Sequence, residues 1–198
     1  MRWLISGLLI LLTLSVYQKG KVESSMDFDH ILTDTLKLEG GVTTDTGGLT
    51  NYGITQKTYN AVAPNLGLPK KSVKDLGYGE VKTIYENEFY KKPKYDLLPT
   101  YKIQGLMFDW GVNAGTGTAT KKLQEIVGTK ADGKFGKKTL EAVNKYIEEK
   151  GEQALAFEIL SSRLNHYTEL INSNPEKYGK YENGWINRIN HLAQKYGQ

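Results

Sequence analysis

Between Glu39 and Thr55 the chain reads EGGVTTDTGGLTNYGIT, and five of the protein's 21 glycines fall within these 17 residues. Each glycine costs a helix roughly 1 kcal/mol relative to alanine, so no helix runs through this stretch. The same residues make positive φ and close backbone approach cheap. The segment therefore interrupts the chain with a short irregular hairpin, Val42 to Thr55, suited equally to a plain tight turn and to a ligand groove.

On both sides the apolar spacing is helical. In Met26 to Leu38, residues Phe28, Ile31, Leu32, Thr35 and Leu36 fall at i, i+3, i+4, i+7 and i+8, one face of an amphipathic helix. Further helices are expected over Thr55–Val62, Gly79–Tyr90 (Val81, Ile84, Tyr85 and Phe89 inward), Tyr101–Asn113, Thr118–Val127, Lys138–Glu149, Glu152–Ile171 and Trp185–Tyr196. Pro64 to Lys71 reads as loop, and Pro93 to Pro99 is the one candidate hinge. The fold class is mainly α, an α+β lysozyme-like arrangement of two helical lobes with a small β-hairpin beside the site. The expected divisions are an N-terminal segment 1–21, a first lobe 26–98 and a second lobe 101–198.

At 198 residues the chain buries enough surface to need no staple. It contains no cysteine, which removes thiol nucleophiles, disulfide switches and thiolate zinc sites. The histidines His30, His166 and His191 form no metal-ligand spacing, and neither GxSxG nor GxxxxGK[ST] occurs. No metal and no cofactor is expected, and the remaining chemistry is that of carboxylates, hydroxyls and aromatic rings.

Net charge is +4. Arg2, Lys19 and Lys21 lie in residues 1–21, which hold no acid, so the remainder carries 23 bases against 22 acids. A nearly neutral body argues against nucleic acid as a partner. Trp3 to Tyr17 is an uncharged apolar run between these bases, about 22 Å long as a helix and short of the roughly 30 Å hydrocarbon core. It reads as a signal peptide, a membrane anchor or, least, a buried helix. No small-x-small cleavage site follows it, and the flanking charges do not set an orientation.

Glu39 stands where the first helix ends. The negative pole of the helix dipole disfavours a carboxylate there, and partial burial acts in the same direction, so its pKa is expected to be raised. A carboxyl protonated near neutral pH is what protonating a glycosidic oxygen requires. Asp45 and the hydroxyls of Thr50 and Thr55 follow on the hairpin, where they can hold a water opposite that acid. The separation of the two carboxyls decides between inversion and a covalent intermediate, and spacing along the chain does not fix it.

These residues carry a resemblance. EGG followed by DTGGLTNYGIT resembles the signature of glycoside hydrolase family 108, the N-acetylmuramidases of phage lysis and bacterial secretion loci, with a shorter spacer than the family usually has. The similarity continues through Asp75-Leu76, Ile84-Tyr85, Leu98-Pro99, Asp109–Gly115, Leu123-Gln124, Asp132–Thr139 and Gly184–Arg188, the last four resembling a C-terminal predicted peptidoglycan domain. By resemblance Glu39 is the catalytic glutamate. The Glu, Asp, Thr order of phage-type lysozymes maps to Glu39, Asp45 and Thr50.

The resemblance implies a monomeric muramidase cleaving the β-1,4 bond between N-acetylmuramic acid and N-acetylglucosamine in peptidoglycan. Its substrate lies outside the inner membrane, so residues 3–17 would tether an exported catalytic part in the periplasm, as signal-arrest-release anchors of phage endolysins do. Two rivals are a lytic transglycosylase forming 1,6-anhydro ends, whose Glu-Ser pair and GLMQ are not matched here, and a non-catalytic wall-binding protein. Tyr52, Thr55 and Asn113 are the expected substrate contacts, although Asn113 is equally placed to cap its helix. Trp110, Tyr85 and Trp185 are sugar-stacking or core rings, and Arg188 is an ion-pair partner. The DGKFGKKT stretch reads as a wall-binding loop or a structural turn.

Overall fold

The computed structural model describes residues 28–37, 43–45 and 48–197. Residues 28–37 form helix α1 and bury the expected face: Phe28, Ile31, Leu32 and Thr35 are each 2% exposed or less. After it come strands β1 (Thr43–Asp45), β2 (Gly48–Asn51) and β3 (Ile54–Thr55). They make an antiparallel sheet in the order β1-β2-β3, with Thr43 opposite Thr50 and Thr50 opposite Thr55. The expected hairpin is thus a three-stranded meander.

The second hairpin closes through Tyr52 (φ 49°) and Gly53 (φ 73°). Two consecutive left-handed residues between paired Asn51 and Ile54 are the signature of a type I′ turn, whose twist matches that of the flanking strands. Helix α2 (Gln56–Val62) starts at once, capped by Thr55, whose hydroxyl accepts from the Thr58 amide at 3.0 Å. The following stretch includes a 3-10 turn at Ala63–Leu66. It is tied down by side chains: Asn51 donates to the Val73 carbonyl at 2.9 Å, Gln56 to that of Lys71 at 3.0 Å, and Tyr59 to that of Pro69 at 2.6 Å.

Helix α3 (Tyr78–Tyr85) runs into a π-helical turn, Glu86–Lys91, in which the Lys92 amide bonds the Asn87 carbonyl at 2.9 Å. The wider turn carries one extra residue. It corrects the expected face: Tyr90 is buried, and Phe89, expected inward, is only partly covered. The Pro93–Pro99 connector is no hinge, because Tyr95 is fully buried and its hydroxyl bonds the Thr116 carbonyl and the Thr120 hydroxyl, both at 2.9 Å.

Helix α4 (Tyr101–Ala114) is the core element, with an unbroken buried run from Gly105 to Gly111. It packs against α5 (Thr116–Ile126), α7 (Glu152–Ser173) and α9 (Glu182–Tyr196), while α6 (Lys137–Lys150) lies on α7. A short α8 (Pro175–Tyr178) joins α7 to α9. Gly105 is where α9 comes closest: a Cβ there would overlap the Tyr196 hydroxyl. α1 closes the other flank through Phe28, which meets Phe108 edge-on at 5.5 Å and Tyr90 at 4.8 Å.

Among the described residues no helix is long and apolar enough to cross a membrane. The membrane-directed segment expected at residues 3–17 lies outside them.

Candidate active site

The sheet pairs two of the expected site residues, Thr50 and Thr55, across adjacent strands, and carries a third, Asp45, at the end of β1. Asp45 ends β1 opposite Gly48, and Thr50 stands between Thr43 and Thr55 in the middle of the sheet. Thr50 and Thr55 are half-buried. Tyr52 sits at the turn, held by its own carbonyl, which accepts the Tyr85 hydroxyl at 2.6 Å. A tyrosine in the left-handed region costs on the order of 1–2 kcal/mol, and such strain concentrates at functional sites. Thr55 also supports the fold, since besides capping α2 its hydroxyl lies 2.9 Å from that of Thr58. Glu39 lies outside the described residues.

Thr35, four residues before Glu39, donates to Asp109 Oδ2 at 3.1 Å. Asp109 is 1% exposed and also accepts from Arg163 Nη1 (2.8 Å) and from Arg188 Nε and Nη2 (2.8 and 3.0 Å). Burial alone would push its carboxyl up, but the two guanidiniums outweigh burial and hold it below the usual aspartate range. Arg188 is therefore the expected ion-pair partner. Arg163, which sequence reasoning missed, is the other. Its place on α7 four residues before Tyr167 offered no distinguishing signal. Thr35 was legible only as part of an apolar face.

Asn113 belongs to a different group from the sheet residues. It does not cap α4, which ends on Gly115 (φ 89°). Its Oδ1 accepts the Tyr167 hydroxyl, which in turn accepts from Arg163 Nε at 2.9 Å. Asn113 opens on a depression of about 340 Å³ shared with Lys180, Tyr181, Trp185 and Arg188. Trp185 stacks on Tyr167 at 4.5 Å and 13°. Trp110 and Tyr85 are core residues at 0% and 2% exposure, so their rings are withdrawn from any sugar.

Asp132 to Thr139 is a knot around one buried amide. Gln124 Nε2 donates to Asp132 Oδ1 (3.1 Å), the Lys134 carbonyl (3.1 Å) and Thr139 Oγ1 (3.2 Å), and its Oε1 accepts the Gly133 amide at 2.9 Å. Among the described residues no group of three or more acidic or histidine side chains is arranged to hold a metal ion.

Residues 32–115 match the Glycosyl hydrolase 108 family model, and residues 118–190 match that of the Predicted Peptidoglycan domain. None of the curated proteins compared matches the chain. Among solved structures it is similar to that of Brucella abortus SagA, at 27% identity and a TM-score of 0.68, over 89% of this chain and 94% of that one. The first match includes the glycine-rich sheet and ends as α5 begins, and the second takes in the Gln124 knot and the arginines that clasp Asp109. Residues 32–115 are therefore a glycosyl hydrolase 108 region and residues 118–190 a predicted peptidoglycan domain, the make-up of a peptidoglycan-degrading, lysozyme-like glycosidase.

Proposed function

We propose that the protein is a muramidase that hydrolyses the β-1,4 bond between N-acetylmuramic acid and N-acetylglucosamine, with Glu39 as general acid. The observation that carries this reading is the sheet: the segment after Glu39 pairs so that β1, ending in Asp45, is flanked by β2 with Thr50 and then by β3 with Thr55. The hydroxyl residues Thr50 and Thr55, paired across β2 and β3, suit the holding of a water together with Asp45, and Glu39, four residues before β1 in the sequence, is assigned the leaving-group proton. The anchoring of Thr35 on Asp109 supports the role given to Glu39, because it fixes α1 one turn earlier in the sequence. Tyr52, Thr55 and Asn113 are the proposed substrate contacts, 26–98 the catalytic lobe, and 101–198 the wall-binding lobe.

Residues 3–17 are proposed to tether the protein, as a monomer, to the inner membrane with its catalytic part in the periplasm. The tether rests on the apolar run between Arg2 and Lys19, and its polarity on the substrate's location alone.

Mass spectrometry of peptidoglycan digests tests the activity. Reducing muramic ends are expected; anhydro ends would make the protein a transglycosylase, and intact wall would make it a binding protein. Glu39→Gln is expected to lower turnover by about 10²- to 10⁴-fold, and wild-type turnover in that variant would remove Glu39 from its role.

A further inference from the structure

A cavity of about 530 Å³ lies where the two family-matched regions meet. One wall comes from α2 and the π-helical turn, with Thr58, Phe89 and Lys92, and the other from the start of α5 and the Asp132–Thr139 knot, with Gly117, Lys134 and Phe135. The loop can seat so close because residue 133 is glycine: at φ +74° a Cβ would come within 3.0 Å of the Gly117 carbonyl. The cavity adjoins the sheet, since Thr58, in its wall, is hydrogen-bonded to Thr55. Phe89, in the same wall, lies 5.4 Å from Tyr85, which holds the Tyr52 turn.

Its lining differs from a sugar subsite. It contains no Trp, Tyr, Asn or Gln, the rings and amides that stack on sugars and bond their hydroxyls, and its lone acid, Glu88, is paired with Lys92 at 2.5 Å. Lys134 is exposed and makes no close ion pair among the described residues, though its charge reaches Asp132, outside the lining, and helps to hold that carboxyl low. Apolar walls whose lining carries two lysines against one acid suit a short chain of small apolar groups that carries carboxylates.

We propose that this cavity binds the stem peptide of peptidoglycan, its alanine methyl groups against Phe89 and Phe135 and a carboxylate at Lys134. The proposal rests on the muramidase reading, since it makes the cavity a neighbour of the proposed site at Thr55. It gives the Asp132–Thr139 loop a part in substrate selection as well as in structure.

The test compares full-length protein on intact peptidoglycan and on the same glycan stripped of its peptides by an amidase. Lys134→Glu is expected to lower the intact-to-stripped rate ratio about five-fold, whereas Lys145→Glu, on α6 outside the cavity, leaves the ratio at its wild-type value. An unchanged ratio in Lys134→Glu overturns the proposal.

Binding is read independently of catalysis by adding a synthetic stem tetrapeptide to isotope-labelled protein. Amide shifts at Gly117, Lys134 and Phe135 are expected, and their absence, or shifts confined to other surfaces, overturns the proposal. Wild-type protein inactive on both substrates but showing those shifts would sink the muramidase reading alone.

Discussion

The glycine-rich sheet and the Asp109 cluster handle polar groups in opposite ways. Around Asp109 every carboxylate oxygen is engaged, by two guanidiniums and the Thr35 hydroxyl, in a site with 1% exposure. In the sheet, Thr50 and Thr55 stay half-buried and the turn holds a strained tyrosine. The cluster is over-determined and ties α1, α4, α7 and α9 together; the sheet leaves Thr50 and Thr55 partly exposed, with Thr55 also capping α2. The second matched region thus supplies, from α7 and α9, the arginines that neutralise Asp109 of the first. Substitutions in the cluster should then act on stability, and those in the sheet on turnover.

The largest stability effect is expected from Asp109→Ala. Removing the carboxylate leaves two buried guanidiniums uncompensated, a loss of about 3–5 kcal/mol that chemical denaturation would read as a lower midpoint. A midpoint unchanged from wild type would break the contrast at its strongest point. Gly105→Ala comes next, because the new methyl must displace the buried Tyr196 ring. A cost of about 1–3 kcal/mol is expected, read by thermal melting.

A smaller cost, about 1 kcal/mol, is expected for Thr55→Val, which deletes the α2 cap and is read by urea denaturation. Tyr52→Asn is expected to change stability by less than about 1 kcal/mol, since asparagine suits the left-handed turn position but loses the ring's packing. Its turnover on peptidoglycan should nevertheless fall, and equal losses of stability and activity would make Tyr52 a packing residue.

Acid sharpens the same comparison. The folded Asp109 carboxyl titrates below its unfolded value, so its contribution to stability is complete above about pH 4 and is lost as pH falls through the lower folded value. His166 is held low chiefly by burial, with nearby Lys122 adding to it, so the unfolded chain binds its proton first. Its contribution declines as pH drops below about 6.5. Melting temperature against pH is expected to fall gently below pH 6.5, and His166→Gln should flatten that shallow limb.

Much of the helical layout was legible because amphipathic spacing reports burial directly: the α1 face and the buried run of α4 lie where their sequences put them. The π-helical turn was not, since a run such as Glu86–Lys91 carries the same apolar pattern with one residue more per turn. The hinge expected at Pro93–Pro99 failed for a similar reason. Proline marks a break in helix but says nothing of Tyr95, whose partners lie 21 and 25 residues further on.

By itself the sequence determined that a glycine-rich segment with strand pairing follows the first helix and that thiol and thiolate chemistry is closed to the chain, because glycine content and the absence of cysteine are local facts about backbone freedom and available groups. Only the tertiary structure decided that Thr35 and Asp109 are partners across 74 residues. It also decided that Asn113 answers to Tyr167, and that Phe89 and Phe135 share one cavity. Such pairings arise from how helices cross, and the spacing of residues along one helix does not encode which face of another it will meet.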